Sequence, residues 1–145
     1  MTGSHDNPIP PVATWLGRTG LLPFIAAPVV MYMYPEQAQL SGRVLSVYAL
    51  AIICFLVGIW WGLGLVRRQP SALVLSNAVV ILAFFGHVGL PTTGFLALCA
   101  LLFPATVLFE RAHQLFRPQP PYYARLREQL TVVATLTLVL AALQL

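Results

Sequence analysis

Charged residues are scarce in this sequence of 145 residues: Asp, Glu, Lys and Arg make up 8% of it, whereas 59% is hydrophobic. A typical soluble domain is about 25% charged and about 45–50% apolar. So few charged side chains cannot cover a water-soluble surface, which excludes an ordinary cytosolic enzyme, a disordered tail and a nucleic-acid-binding protein. The composition predicts a protein that crosses a lipid bilayer several times.

Cysteine is also rare. Cys54 and Cys99 both lie inside apolar runs, and no spacing of Cys and His indicates a metal site. A disulfide would need oxidising access at membrane depth. We therefore expect both cysteines to act as small packing residues, and we expect neither a metal nor a cofactor.

Five apolar runs are long enough to cross a bilayer as helices, which takes about 20 residues each. They are continuously apolar and lack the alternation of a membrane barrel. The predicted fold class is therefore all-α, a polytopic integral membrane protein with five transmembrane helices and short loops. We predict a flexible tail over 1–11 and a single transmembrane domain over 12–145, with an interfacial segment at 110–125. The predicted helices are 12–34, 44–66, 71–90, 92–109 and 126–145.

Prolines mark where these helices bend or begin. Pro23 and Pro28 predict a kinked first span, and Pro104 predicts a kink in the fourth, because proline removes a backbone donor. The segment 117–121 contains three prolines and cannot be regular helix. Pro120 or Pro121 suits the first turn of the helix that follows.

The arginines predict the orientation, since positive charges accumulate on the cytoplasmic side. All eight basic residues are Arg. With five crossings, Arg43 lies on one side of the membrane and the other seven arginines lie on the opposite side. We therefore predict a multi-pass protein of the bacterial inner membrane, with the N-terminus inside and the C-terminus outside. The arginines on the other side are Arg18, Arg67, Arg68, Arg111, Arg117, Arg125 and Arg127.

Cys54, Gly58 and Gly62 form a stripe of small residues at helical spacing in the second predicted span. Helices associate in lipid through close backbone approach, which glycine permits. One interpretation is that this face packs inside the protein's own bundle, and we favour it because any five-helix bundle needs internal contacts. The other is that it binds a protein partner or a second copy of the chain.

Four further side chains are candidates for polar binding. Trp60 and Trp61 are typical of an interfacial aromatic belt, although a quinone or lipid headgroup can also stack on them. Asn77 is expected to bond a neighbouring helix rather than a substrate. His87 is expected to be solvated at the outer interface, since no Asp or Glu lies inside a predicted span to form a proton relay, apart from Glu128 in the first turn of the last span.

A charged cluster follows the fourth predicted span: Glu110, Arg111, Arg125, Arg127 and Glu128. We expect contacts with lipid phosphates or among these residues. Arg127 is placed to pair with Glu110 and so to tie two helices together at the inner interface. The same cluster is also a possible docking surface for a protein.

Three segments resemble a known family when taken in order. Residues 16–24 read LGRTGLLPF, residues 55–62 read FLVGIWWG after Tyr48, and residues 126–131 read LREQLT. With the five-helix layout, the chain is similar to the bacterial membrane family named domain of unknown function 3429, whose eukaryotic relatives are called transmembrane protein 69 and are associated with mitochondria. The resemblance implies an inner-membrane protein and implies no particular activity.

The sequence contains no nucleophile–base pair, phosphate loop or paired intramembrane carboxylates. We therefore predict a non-catalytic accessory subunit or assembly factor of a larger inner-membrane complex, in contact with the lipid bilayer. The alternative is small-molecule, lipid or quinone binding or transport between the second, third and fourth spans. A redox or lipid-modifying enzyme is the third hypothesis.

Overall fold

The computed structural model describes residues 11–117 and 121–145, and their regular structure is entirely helical. Five candidate membrane spans are present, which confirms the predicted fold class. The predicted tail up to residue 10 and the loop residues 118–120 lie outside the described residues. The helices are α1 (Pro11–Thr19), α2 (Leu22–Met33), α3 (Ala38–Val66), α4 (Pro70–Gly89), α5 (Thr92–Ala112) and α6 (Pro121–Leu143), with short 3-10 turns at Pro35–Gln37 and Gln114–Phe116.

The first span, Val12–Met33, is two helices rather than one kinked helix. The break falls at Gly20 and Leu21, just before Pro23. In a continuous helix the N–H of residue 23 would bond the carbonyl of Thr19, and proline has no N–H to give. Pro23 instead occupies the first turn of α2, where no intrahelical donor is needed.

Two other helices are longer than the sequence indicated. α3 begins at Ala38, so residues 38–43 are helical and not part of a loop. α5 continues through Pro104 and ends at Ala112, three residues beyond the predicted boundary, so that Glu110 lies within its last turn. The interfacial segment is correspondingly shorter, because α6 already begins at Pro121.

Four of the spans form the centre of the bundle and one lies outside it. α5 packs along α6 and also touches α3, while α2 fills the gap between α3 and α6. α4 packs almost wholly on α3 and touches α5 only slightly. The main core of buried side chains lies between α2, α3, α5 and α6, with Phe24, Ile53, Phe103 and Leu138 among its members.

We call the end of the bundle where α3 and α5 end and α4 and α6 begin the arginine-rich end. A second, smaller core lies there, and its members are Val57, Trp60, Ala72, Leu115 and Phe116. Leu115 and Phe116 belong to the 3-10 turn after α5, which folds back over the helix ends. This turn covers the buried side chains beneath it.

Candidate functional site

A salt bridge between two buried side chains joins α5 to α6. Arg127 is 7% exposed and Glu110 is 5% exposed. The guanidinium Nε donates to Glu110 Oε2 at 3.2 Å, and Nη2 approaches Glu110 Oε1 at 3.4 Å. This is the pair that the sequence placed at the interface. It is buried inside the bundle, and the expectation that no acidic residue lies inside a span is wrong for Glu110.

Three more side chains complete a polar network around this pair. Trp60 Nε1 donates to Glu110 Oε1 at 3.1 Å, which brings in α3. Arg127 donates through Nη2 to Thr106 and through Nη1 to Thr131, each at 3.0 Å. The network therefore joins α3, α5 and α6.

This network satisfies charges that would otherwise be costly in a low-dielectric interior. Removing an ion from water costs several kcal/mol, and a buried pair balances this only when further hydrogen bonds satisfy its remaining atoms. Trp60 supplies one such bond to Glu110, and Thr106 and Thr131 supply two to Arg127. The arrangement can fix the register of three helices, and it offers no nucleophile or open metal position.

The turn after α5 covers the network from the arginine-rich end. Phe116 packs its ring edge-on to Trp60, with 6.0 Å between ring centroids. Arg67, at the end of α3, donates to the carbonyls of Leu115 and Arg117. His113 Nδ1 accepts from the Leu115 N–H at 3.1 Å. The contacts of Trp60 and Arg67 tie the turn to α3, and the His113 bond holds it to the end of α5.

Trp60 and Trp61 have different environments, although they are neighbours. Trp60 is 1% exposed. The prediction that it belongs to an interfacial belt is therefore wrong. Helical geometry turns adjacent residues by about 100°, so only one of the two can face the core. Trp61 is 44% exposed.

The rest of the charged cluster lies outside the network. Arg111 and Glu128 form a second salt bridge between α5 and α6, with about half of each side chain exposed. Arg125 is exposed. The cluster thus contains one buried and one exposed ion pair across the same helix contact.

The glycines of α3 also divide into two kinds. A Cβ on Gly64 would lie 3.0 Å from Leu73 and 3.3 Å from Ala72, so α4 approaches the backbone of α3 there. A Cβ on Gly58 or Gly62 would meet no atom within 4 Å. The two glycines of the face that we expected to pack internally are therefore uncovered among the described residues, whereas Cys54 of the same face is half-buried.

A cleft of about 210 Å³ runs beside this face, between α3 and α4. Cys54, which is half-buried with a free thiol, lines it together with Gly58, Trp61 and Asn77. Asn77 Nδ2 donates to the Leu73 carbonyl of its own helix at 2.9 Å, and the expected bond to a neighbouring helix is not found within residues 11–117 and 121–145. Trp60 does not line the cleft.

His87 lies at the far end of α4, away from the network. Its ring packs edge-on against Phe95 with 4.8 Å between centroids. Its Nδ1 is buried, and no residue that the structure describes bonds it. Among all the residues that the structure describes, no group of three or more His, Cys, Asp or Glu is close enough to hold a metal.

A larger cavity of about 460 Å³ lies on the opposite side of α3, bounded by α1, α2, α3 and α6, with Phe103 of α5 also in its lining. Its wall is apolar except at one end, where Tyr123, Arg127 and Thr131 contribute to the lining. This cavity was not predicted from the sequence, because it depends on how α1 packs against α6. Gly17 makes that approach possible: its Cβ would lie 3.2 Å from Leu130.

The two threonines of the network were missed from the sequence, although their spacing contains a signal. Thr106 precedes Glu110 by four residues, and Thr131 follows Arg127 by four. Residues four apart share a helix face, so hydroxyls at these positions stand beside the charged groups. Hydroxyls are common in membrane helices, so this spacing becomes informative only once Glu110 and Arg127 are known to be buried.

Comparison with known proteins gives one curated relative and one family. Transmembrane protein 69 of Xenopus tropicalis is 31% identical over 144 residues, which include 92% of this chain and 54% of the relative. The chain thus spans about half the length of that protein. No solved structure matches. The family described as protein of unknown function (DUF3429) matches residues 9–143. Because that match covers nearly the whole sequence, the five-helix chain described above belongs to the DUF3429 family.

Proposed function

We propose that this membrane protein is a non-catalytic accessory subunit or assembly factor that binds a transmembrane helix of a partner protein along α3. The observation that carries the proposal is the uncovered face of Gly58 and Gly62, at which a Cβ would meet no atom of the described residues within 4 Å. Glycines at this spacing allow two helix backbones to approach closely, which is the main source of helix association in lipid.

The shape of the neighbouring surface supports a helix as the occupant. The cleft beside the glycines measures about 210 Å³, below the about 300–1,000 Å³ of small-molecule pockets. Its lining includes three small residues, Cys54, Gly58 and Ser76, beside Val57, Trp61, Asn77 and Val80. Such a surface accepts the ridge of a packed helix better than it encloses a solute. This favours partner binding over the alternative of a small-molecule site between α3, α4 and α5.

The contrast with the other helical glycines also supports the proposal. Gly64 and Gly86 each place a hypothetical Cβ within 3.0 Å of a side chain on the adjacent helix, Leu73 and Leu98 respectively. The chain thus uses glycine for close packing where its own helices meet. Gly58 and Gly62 also expose the helix backbone for close approach, but no described residue of another helix packs on them.

The orientation and the membrane are part of the same proposal. We place the arginine-rich end in the cytoplasm of a bacterium and the protein in the inner membrane, because seven of the eight arginines flank one side of the spans. The exposed pair of Arg111 and Glu128 then lies at the cytoplasmic surface. A partner helix on α3 would lie across the bundle from α6.

The test is native electrophoresis of the protein extracted in mild detergent, followed by mass spectrometry of the resolved band. The wild type is expected in a complex with a second polypeptide. Gly58→Leu should release it as a free subunit, because the new side chain fills the space that the partner helix requires. Gly89→Leu is the matched control, since Gly89 also has no atom within 4 Å of its Cβ position but lies at the far end of α4.

Two results contradict the proposal. One is a wild type that migrates as a monomer or as a homo-oligomer with no second polypeptide. The other is a complex that survives Gly58→Leu as well as it survives Gly89→Leu.

A further inference from the structure

We propose that the cavity between α1, α3 and α6 binds a neutral amphiphile, with a carbonyl-bearing head against Arg127 and Thr131 and an apolar chain along the groove. The cavity measures about 460 Å³, inside the about 300–1,000 Å³ of ligand pockets. Its lining includes Leu21, Ile52 and Leu56, so it matches a hydrocarbon chain. This site is separate from the Gly58–Gly62 face and does not depend on it.

The cavity opens toward lipid. Leu16 and Phe55 both line it, and they are 67% and 69% exposed. In a helix that crosses a bilayer an exposed apolar side chain faces acyl chains. A molecule dissolved in the membrane can therefore enter from the side without passing through water.

The polar end of the cavity offers hydrogen-bond donors. A guanidinium has five N–H groups, and Arg127 uses four of them: one toward Thr131, one toward Thr106 and two toward Glu110. The second N–H of Nη1 has no acceptor among the residues that the structure describes. Thr131 accepts from Arg127, which leaves its own hydroxyl proton free to donate. The ligand group that fits is an acceptor.

The charge at this end is already balanced. Glu110 lies 3.2 Å from Arg127, so a phosphate or carboxylate entering the cavity would meet a neutralised guanidinium and a nearby carboxylate. A second negative charge close to the Glu110 carboxylate in a low-dielectric site is unfavourable. A carbonyl oxygen accepts the available N–H and O–H without adding charge. Carbonyls on long apolar chains occur in membranes as acyl esters and as prenyl quinones.

Native mass spectrometry of the full chain in detergent tests the site with three probes: monoolein for the acyl ester, decylubiquinone for the quinone, and dodecyl phosphate for an anion. One of the two neutral probes is expected to form a 1:1 complex at lower concentration than dodecyl phosphate. Which neutral probe binds distinguishes the two sources of the carbonyl.

Two variants test the location, each with a matched control. Leu56→Trp fills the groove and should lower the occupancy at least tenfold, whereas Val47→Trp, on the exposed side of the same helix, should leave it unchanged. Thr131→Val removes the hydroxyl and should lower affinity about tenfold. Thr137→Val is the control on α6, because that hydroxyl bonds carbonyls of its own helix.

Three results overturn the proposal. They are the absence of a 1:1 complex with either neutral probe, tighter binding of dodecyl phosphate than of both neutral probes, and a Leu56→Trp protein that retains its probe as well as Val47→Trp does. Because the Gly58→Leu variant leaves this cavity intact, failure here and failure of partner binding are distinguishable.

Discussion

The two sides of α3 contain similar residues and have different surroundings. On the inner side Trp60 is 1% exposed, and a Cβ on Gly64 would lie 3.0 Å from Leu73. On the outer side Trp61 is 44% exposed, and Gly62 has no neighbour within 4 Å of its Cβ position. A tryptophan and a glycine in a membrane helix are thus interior packing residues on one face and surface residues on the next. The neighbouring helices, and not residue type, determine which role each one has.

The largest expected effect comes from breaking the buried salt bridge between Glu110 and Arg127, which Trp60 contacts from the inner side of α3. Arg127→Leu leaves Glu110 buried without its counter-ion and should lower the free energy of unfolding by about 3–5 kcal/mol. Arg111→Leu, which removes the exposed pair with Glu128, should cost at most about 1 kcal/mol. Both can be measured by denaturant unfolding in mixed micelles.

The double variant Glu110→Leu/Arg127→Leu sharpens this test. It removes both charges and should regain most of the lost stability, since apolar replacement of a buried pair is often neutral. If Arg127→Leu and Arg111→Leu lowered the free energy of unfolding equally, the buried salt bridge would contribute no more to stability than the exposed one, which contradicts the prediction.

The neighbouring tryptophans provide the next comparison. Trp60→Phe removes the indole N–H that donates to the Glu110 carboxylate at 3.1 Å, and should cost about 1.5–3 kcal/mol in unfolding free energy. Trp61→Phe, at an exposed position, should change it by less than about 0.5 kcal/mol. The same unfolding assay measures both, and a larger loss at Trp61 would contradict the assignment of the two faces.

The smallest effect is expected at the glycines, where it should change sign. Gly64→Ala places a methyl group against Leu73 and Ala72 and should cost about 1 kcal/mol. Gly62→Ala meets no neighbour, so the higher helix propensity of alanine should raise stability by up to about 1 kcal/mol. Thermal unfolding of the two variants beside the wild type checks the sign, and destabilisation at Gly62 would indicate an internal contact there.

Much of the fold was predictable because it depends on solvation along the chain. A bilayer requires each crossing to satisfy its own backbone, so long apolar runs identified the spans. The helix ends were less predictable. α5 keeps its last turn because Glu110, a charged residue that marked the predicted boundary, is buried with Arg127 and Trp60.

The site was predictable only in part. The pairing of Glu110 with Arg127 followed from opposite charges on adjoining helix ends, and the structure contains it. The role of Trp60 did not follow, because nothing in the sequence distinguishes it from Trp61. We favoured packing of Gly58 and Gly62 inside the bundle, and the structure leaves both uncovered among the described residues. Helical spacing identifies a face of a helix and does not reveal which neighbour covers it.

The sequence by itself determined a membrane protein with five helical crossings, since apolar runs and short loops leave few other ways to satisfy the backbone in lipid. Only the tertiary structure decided that Glu110 and Arg127 are buried, that α1 and α6 enclose a cavity and that one glycine face is uncovered. Each of these depends on the rotation and contact of whole helices, and lipid tails surround an apolar face as readily as another helix does.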